Sequence, residues 1–142
     1  MKRRRGFISM ILLGTLFLLL FAGCQSQSTK LSDKFDEETV KAEAVKLVET
    51  FNKREYQSII DQGSKELKDA VTAEDFAAQS DPYLDKDGAF QKISKTVVMG
   101  NEDKKTGETY GGVVMIGEYE NGKIQFTIGF NEAMELVQFV IR

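Results

Sequence analysis

Two residue types that carry much of protein chemistry are nearly absent from this sequence. It has no histidine, and Cys24 is its single cysteine. Without imidazole, the sequence excludes a Ser-His-Asp triad, a Cys-His pair, histidine acid–base catalysis and His-ligated metal sites. Any enzymatic chemistry would have to use carboxylates, tyrosines, lysines or hydroxyls. The sequence around Cys24, the one thiol, is therefore the first place to look for a functional signal.

Cys24 follows a segment that is built like a secretory signal. Four basic residues, 2–5, precede an apolar run from Phe7 to Phe21, and two small residues complete the segment. A basic start, a short apolar centre and a small-residue exit are the plan of a secretory signal peptide. The run is shorter than the roughly 20 apolar residues that a membrane-spanning helix needs.

The end of this segment resembles a bacterial lipobox, normally Leu-(Ala/Ser)-(Gly/Ala)-Cys. Ala22, Gly23 and Cys24 match its last three positions, whereas Phe21 stands where Leu is usual and Leu20 lies one residue earlier. The resemblance implies cleavage between Gly23 and Cys24 and a thioether-linked diacylglyceryl group on Cys24. Two acyl chains are what stable anchoring takes. We therefore expect a lipoprotein on the extracytoplasmic face of the cell membrane; an ordinary secretory signal with a chance cysteine is the alternative.

Charge and composition divide the rest of the chain into a tether and one domain. Loss of the signal peptide, residues 1–23, removes four of the 19 basic residues and none of the 22 acidic ones, so the remaining 119 residues carry a net charge of −7. This charge argues against nucleic acid as a partner and leaves membrane attachment to the acyl chains. Residues 24–31 are almost wholly polar and predict a flexible tether. Residues 32–142 have the length of a single domain.

The first half of that domain has helical patterning. A helix is predicted from Leu31 to Asn52, and a short one from Tyr56 to Asp61. Apolar residues at helical spacing give the first helix one buried stripe: Val40, Ala44, Leu47, Val48 and Phe51. Thr72 is expected to cap a further helix that Pro82 interrupts. Gly88 ends the helical half.

The second half changes to the pattern of strands and turns. Strands are predicted at Ile93–Met99, Thr109–Glu120, Ile124–Phe130 and Met134–Ile141. Asn121-Gly122 is a strong signal for a two-residue hairpin. Helices followed by a strand meander predict an α+β fold, with N-terminal helices packed on a curved four-stranded antiparallel sheet.

These segments together resemble a known family. The run Phe51–Tyr56, then Leu67, then Gly88-Ala89-Phe90 leading into the terminal meander, is similar to domain-of-unknown-function family 3887. Such domains occur in bacterial lipoproteins and secreted proteins, sometimes fused to a hydrolase. They are similar to the nuclear transport factor 2-like cone, in which helices close over a curved sheet. The resemblance covers Val40–Arg142 and implies neither catalytic residues nor a cofactor.

Candidate ligand-binding residues are aromatic. Between the helices and the sheet, a pocket would be lined by Tyr56, Tyr83, Tyr110 and Phe126. The alternative is that they belong to the core, with the tyrosine hydroxyls at its rim. Asp85 and Asp87 before Gly88 look like part of a calcium loop, but the positions that need carboxylates at the ends of that loop hold other residues, so we expect no metal site.

Three functions follow as hypotheses. The first is a non-enzymatic module that binds a small apolar molecule or a protein. The second is a cone-fold isomerase or hydrolase that uses a carboxylate or tyrosine. The third is a structural homodimer formed by the outer side of the sheet, where four apolar residues are expected: Val114, Ile116, Leu136 and Val140.

Overall fold

The structure, a computed structural model, describes residues 30–142. Four helices come first: α1 (Glu37–Asn52), α2 (Tyr56–Asp61), α3 (Lys65–Ala70) and α4 (Ala73–Asp87). Four strands follow: β1 (Phe90–Glu102), β2 (Thr109–Tyr119), β3 (Gly122–Phe130) and β4 (Leu136–Ile141). They form one antiparallel sheet in the order β1-β2-β3-β4, which confirms the predicted α+β fold. The predicted signal peptide, the cleavage site at Gly23, the lipidation at Cys24 and the tether up to residue 29 lie outside the described residues.

Helix α1 begins at Glu37, six residues after the predicted start. Asp36 caps it, because its carboxylate accepts a hydrogen bond from the Thr39 backbone N–H at 2.9 Å. Two acidic residues in the first turn, Glu37 and Glu38, lie at the positive end of the helix dipole. The predicted apolar stripe is buried along the whole helix.

Helix α4 runs through Pro82 without a break, so the predicted interruption at this proline was wrong. Proline removes only its own backbone hydrogen bond, and burial of Leu84 after it favours the continued helix. The helix ends at Gly88, whose φ of 76° is left-handed and whose N–H donates to the Leu84 carbonyl.

The inner face of the sheet packs against the helices. The hairpin between β2 and β3 turns at Glu120-Asn121, with Tyr119 paired to Gly122. Alternate residues of both strands point to the helices and are buried there: Val113, Met115, Tyr119, Ile124, Phe126, Ile128 and Phe130. This face and the stripe of α1 together form one hydrophobic core.

Strand β4 has a register irregularity that the sequence alternation did not predict. Gly129 opposes Gln138 and Phe130 opposes Leu136, so Val137 is an extra residue in the ladder. The bulge turns Leu136 to the helix side, where it is fully buried, and the prediction that it lies on the outer face was wrong. Its backbone also joins the sheet to the helical layer, because its N–H donates to Gln62 and its carbonyl accepts from Ser64, both at 2.9 Å.

Strand β1 is longer than predicted and is only partly regular. Its pairing with β2 shifts register between Phe90 and Lys92 and again between Ile93 and Lys95. From Lys95 to Glu102 the pairing is continuous. The register shifts increase the local twist of the first half of β1, whereas the second half pairs regularly with β2.

The N-terminal segment lies across two glycines that face each other in the sheet. Gly100 of β1 is paired with Gly111 of β2. A Cβ on Gly100 would lie 2.5 Å from the Lys30 carbonyl oxygen, and one on Gly111 would lie 3.0 Å from the ring of Phe35 and 3.2 Å from a methyl of Leu31. The missing side chains create the space that Leu31 and Phe35 fill.

One ion pair holds this segment at its other side. The Glu132 carboxylate accepts hydrogen bonds from Lys34 Nζ at 2.8 Å, from the Thr109 hydroxyl at 2.9 Å and from the Thr109 backbone N–H at 3.1 Å. Lys34, followed by Thr109, lowers the pKa of Glu132 from its usual 4.5 to about 2. The segment is thus attached by packing at Gly100 and Gly111 and by charge at Lys34.

Gly100→Ala is predicted to destabilise the domain by about 1–3 kcal/mol, because its methyl group would collide with backbone and not with a flexible side chain. Urea unfolding measures the loss. Gly112→Ala is the matched control, since its Cβ would lie 3.3 Å from the flexible Met99 side chain. Equal stability of the Gly100→Ala variant and the wild type would contradict the described path of Lys30 and Leu31.

Acid is predicted to release the N-terminal segment through Glu132. The folded state lowers the pKa of this carboxyl, so its stabilising effect is complete above pH 4.5 and is lost as the pH falls towards about 2. The Thr109 amide resonance is followed by NMR between pH 5 and pH 2. Its chemical shift is expected to titrate with the lowered pKa of Glu132, about 2. Glu132→Gln should remove this titration and Glu135→Gln should retain it. A titration midpoint near pH 4.5 for the Thr109 amide in the wild type would show that Lys34 and Thr109 do not bind the Glu132 carboxylate as described.

Candidate functional site

Five aromatic rings pack together between α1, α4 and the inner face of the sheet. Phe51 of α1 is their centre, with ring centroids 5.2 Å from Phe126, 5.7 Å from Phe139 and 6.1 Å from Tyr56. Phe76 of α4 stacks on Tyr56 at 5.0 Å and lies 5.4 Å from Phe139. The rings thus fill the space between the two layers with contacts to one another.

The structure brings together two of the four residues predicted to line a pocket. Tyr56 and Phe126 are both buried in the aromatic cluster, where each contacts Phe51. Tyr83 lies on α4 with 37% of its surface exposed. Tyr110 lies near the start of β2, and its hydroxyl donates to Glu108 at 2.9 Å. Burial, followed by the Glu108 carboxylate, raises the pKa of Tyr110 to about 12.

Arg54 joins the turn after α1 to one side of α4. Its guanidinium contacts Asp81 at 3.0 Å and Asp85 at 2.7 Å, two carboxylates one helical turn apart. The Tyr56 hydroxyl donates to the same Asp81 oxygen at 2.6 Å. We call Arg54, Tyr56, Asp81 and Asp85 the Arg54 cluster. It links the α1–α2 turn and the first residue of α2 to α4 by three charge-assisted contacts.

The backbone of Arg54 is unusual. Its φ of 59° is in the left-handed region, which costs a residue with a Cβ about 1–2 kcal/mol. The guanidinium reaches both aspartates from this conformation. A strained backbone under a double ion pair is the kind of feature that marks a site under constraint.

A second group of polar side chains lies where the end of α4 meets the β2–β3 hairpin. The Tyr119 hydroxyl donates to Asn52 Oδ1 at 2.5 Å, and both atoms lie at the margin of the core. Asp87 is buried next to the hairpin, and a Cβ on Gly122 would lie 2.5 Å from its carboxylate. We call Asn52, Asp87 and Tyr119 the Tyr119 cluster. Within residues 30–142, the buried Asn52 Nδ2 has no hydrogen-bond partner.

The electrostatics of the two clusters favour hydrogen bonding over proton transfer. Burial raises the pKa of the Tyr56 hydroxyl above its usual 10, and the neighbouring Asp81 adds to the rise. Burial likewise raises the pKa of Tyr119, against the lowering effect of Asn52. Both hydroxyls therefore stay protonated at neutral pH and act as donors.

Neither cluster was identified from the sequence. In the sequence, Asp85 and Asp87 look like a fragment of a calcium loop but were expected to hold no metal; in the structure, Asp85 binds Arg54 and Asp87 is buried beside Gly122. The i, i+4 spacing of Asp81 and Asp85 was the available signal, since it places both on one helix face. Among the described residues, no group of three or more His, Cys, Asp or Glu side chains is placed to hold a metal ion. Over the same range, no helix is long and apolar enough to cross a membrane.

The fold and these clusters define an α+β domain whose helices cover one side of a four-stranded meander. Residues 44–139 match the family described as a protein of unknown function, DUF3887. The match spans more than half of the chain, so the protein belongs to that family, as the sequence resemblance predicted. It is similar to the NMR structure of a protein from Ruminococcus gnavus ATCC 29149, at 29% identity and a TM-score of 0.69 over 80% of this chain and 96% of that one. No curated protein matches the sequence.

Replacement of Arg54 by glycine is predicted to be less harmful than replacement by alanine. Both variants lose the ion pairs, but only glycine adopts the left-handed backbone freely, so Arg54→Gly should be more stable than Arg54→Ala by about 1 kcal/mol. The same two changes at Lys53 are the control, because its φ of −84° is helical and the order should reverse there. Urea unfolding gives both differences. Arg54→Ala as the more stable variant would rule out the left-handed conformation.

Proposed function

We propose that the protein is a lipid-anchored, extracytoplasmic lipoprotein whose folded domain is a non-enzymatic binding module for a small apolar molecule or a protein. The lipobox-like segment that ends at Cys24 supports the anchor. Membership in a family of unknown function leaves the ligand to be found by experiment.

The observation that carries the proposal is the point at which the folded domain begins. Leu31 already packs on Gly111, and the Lys30 carbonyl lies against Gly100. Only residues 25–29 separate Cys24 from this attached segment. At about 3.5 Å per extended residue, the distance from Cys24 to Lys30 is at most about 20 Å. A lipid on Cys24 would therefore hold the domain close to the membrane surface.

The carboxylates and tyrosine of the Arg54 cluster and the hydroxyl of Tyr119 are engaged in structural contacts. Asp81 and Asp85 bind Arg54, and Asp81 also accepts from Tyr56. The Tyr119 hydroxyl is bonded to Asn52. A general base needs a free lone pair and a pKa near the working pH, and burial raises the pKa of both tyrosines instead. These contacts favour a binding role over catalysis.

Mass spectrometry of the protein from its native cells tests the anchor. The expected mass is that of residues 24–142 plus a diacylglyceryl group, with the protein in the membrane fraction. Cys24→Ser should retain the leader and carry no lipid. Ser26→Ala, two residues along the tether, should be processed like the wild type. An unmodified Cys24 with the leader still attached would contradict the proposal.

Ligand screening tests the binding role. A ligand that binds only the folded state at 100 times its Kd is expected to raise the free energy of unfolding by about 2.7 kcal/mol, which a thermal-shift assay detects. The same purified protein should not turn over ester or isomerase substrates. Turnover that Asp87→Asn abolishes, and that Asp69→Asn on the exposed side of α3 leaves intact, would replace the binding role with an enzymatic one.

A further inference from the structure

Charge is distributed unevenly between the two layers of the domain. Residues 30–89, which contain the N-terminal segment and the helices, have nine basic and fifteen acidic residues and a net charge of −6. Residues 90–142, which contain the strands, have six basic and seven acidic residues and a net charge of −1. The net charge of −7, which opposes contact with an anionic surface, therefore lies almost wholly in the helical half.

All three basic residues of the strands lie at one end of the outer face of the sheet. Lys92 opposes Glu118, which opposes Lys123, and the next row has Lys95 opposite Ile116. The ammonium groups of Lys92 and Lys123 lie 3.6 and 3.5 Å from the Glu118 carboxylate, and both side chains are 68% exposed. Lys95 is exposed and has no ion pair among the described residues. We call Lys92, Lys95 and Lys123 the lysine patch.

Few negative charges offset the lysine patch. Among the strand residues of the outer face, Glu118 is the only acid, which leaves this end of the face with a net charge of +2. Arg142 pairs with Gln125 beside the patch, and there its guanidinium and the last carboxylate of the chain offset each other. Glu120 of the hairpin turn lies against Gly88, on the helix side.

The other end of the sheet is negative. The loops at that end, residues 102–108 and 131–135, have two lysines and five acidic residues, one of which is paired with Lys34. In chain order these are Glu102, Asp103, Lys104, Lys105, Glu108, Glu132 and Glu135. Between the two ends, one row of the outer face is uncharged: Val97, Val114, Thr127 and Val140.

We infer that the lysine patch binds the anionic headgroups of the membrane to which the protein is anchored, so that the outer face of the sheet lies on the bilayer and the helices face away from it. The inference rests on the proposed lipid anchor. Each basic charge near an anionic leaflet favours such a contact by a factor of about 5, so a net charge of +2 gives about a 25-fold preference for this orientation.

The position of the N-terminal segment permits this orientation. Lys30 lies against Gly100 of β1, on the helix side of the sheet. A membrane on the outer side is about one sheet spacing away, about 10 Å. The distance of at most about 20 Å from Cys24 to Lys30 is long enough to cover it. An end-on orientation would instead bring the negative loops to the anionic lipid.

Lysine acylation in vesicles tests the contact. The native protein is purified from its membranes and reconstituted into vesicles of phosphatidylcholine alone, or of phosphatidylcholine and phosphatidylglycerol in equal parts. Mass spectrometry gives the acylation rate of each lysine. The lysine patch is expected to react about tenfold more slowly in the anionic vesicles, and salt at about 1 M should abolish the difference. Lys46 and Lys53, in the helical half, should react equally in both kinds of vesicle.

Three results overturn the inference. Slower reaction of Lys104 and Lys105 without that of the lysine patch would place the membrane at the loop end of the sheet. Equal protection of the patch in both kinds of vesicle would indicate a contact with protein, such as the acidic helical half of a second copy. Unchanged rates at every lysine would show that the outer face contacts no lipid.

The same sample reports separately on the anchor. A free Cys24 thiol in its mass spectrum would contradict the proposed lipidation and would leave the orientation measurable. That thiol is then coupled to a maleimide phospholipid in the same vesicles, and the acylation rates decide which face meets the membrane.

Charge reversal at two matched lysines gives a second readout. Lys95→Glu reduces the net charge at this end of the outer face to zero and should return Lys92 and Lys123 to their acylation rates in neutral vesicles. Lys53→Glu changes the total charge by the same amount and should leave the protection intact. Lys53, like Lys95, is exposed and has no ion pair among the described residues. Protection that survives Lys95→Glu, or that both variants abolish, would refute binding through the lysine patch.

Discussion

The packing of Phe51 against the inner face of the sheet is the contact on which the rest of the domain depends. Its ring meets Tyr56, Phe126 and Phe139, and through them it joins α1, α2, β3 and β4. No metal-ligand cluster of His, Cys, Asp or Glu is present in the described part, and its sequence contains no cysteine. Burial of apolar surface is the dominant favourable term in folding, and Phe51 is fully buried at the junction of four elements.

The two polar clusters lie at the ends of this aromatic packing. The turn that follows Phe51 contributes Asn52 and Arg54, and α4 contributes Asp81, Asp85 and Asp87. The turn is thus fixed to α4 at its exposed side by ion pairs and to β2 at its buried side by Tyr119. This arrangement explains how a six-residue helix such as α2, too short to be stable alone, keeps its position.

Sequence periodicity predicted the layers of this fold but not the contacts that connect them. The stripe of α1 and the alternation of β3 follow from local spacing, since each depends on one element and one buried face.

The bulge at Val137 was missed because alternation assumes an unbroken register, and the ladder partner of Leu136 is set by its bonds to the loop after α2. The left-handed Arg54 was missed for a similar reason: its cost is offset by two aspartates about 30 residues away. Of the four residues predicted to line a pocket, Tyr56 and Phe126 come together because both belong to the core pattern, whereas Tyr83 and Tyr110 lie elsewhere in the domain.

The packing of Leu31 and Phe35 against Gly100 and Gly111 determines where a force on the N-terminal side would act. Any pull transmitted from the N-terminal side reaches the domain first at Leu31, Lys34 and Phe35, before it reaches α1. Phe35 is a buried member of the hydrophobic core and Leu31 packs against that core, so release of the segment would open this end of the core as well. Once released, residues 30–36 could extend to a length of at most about 20 Å, at about 3.5 Å per residue.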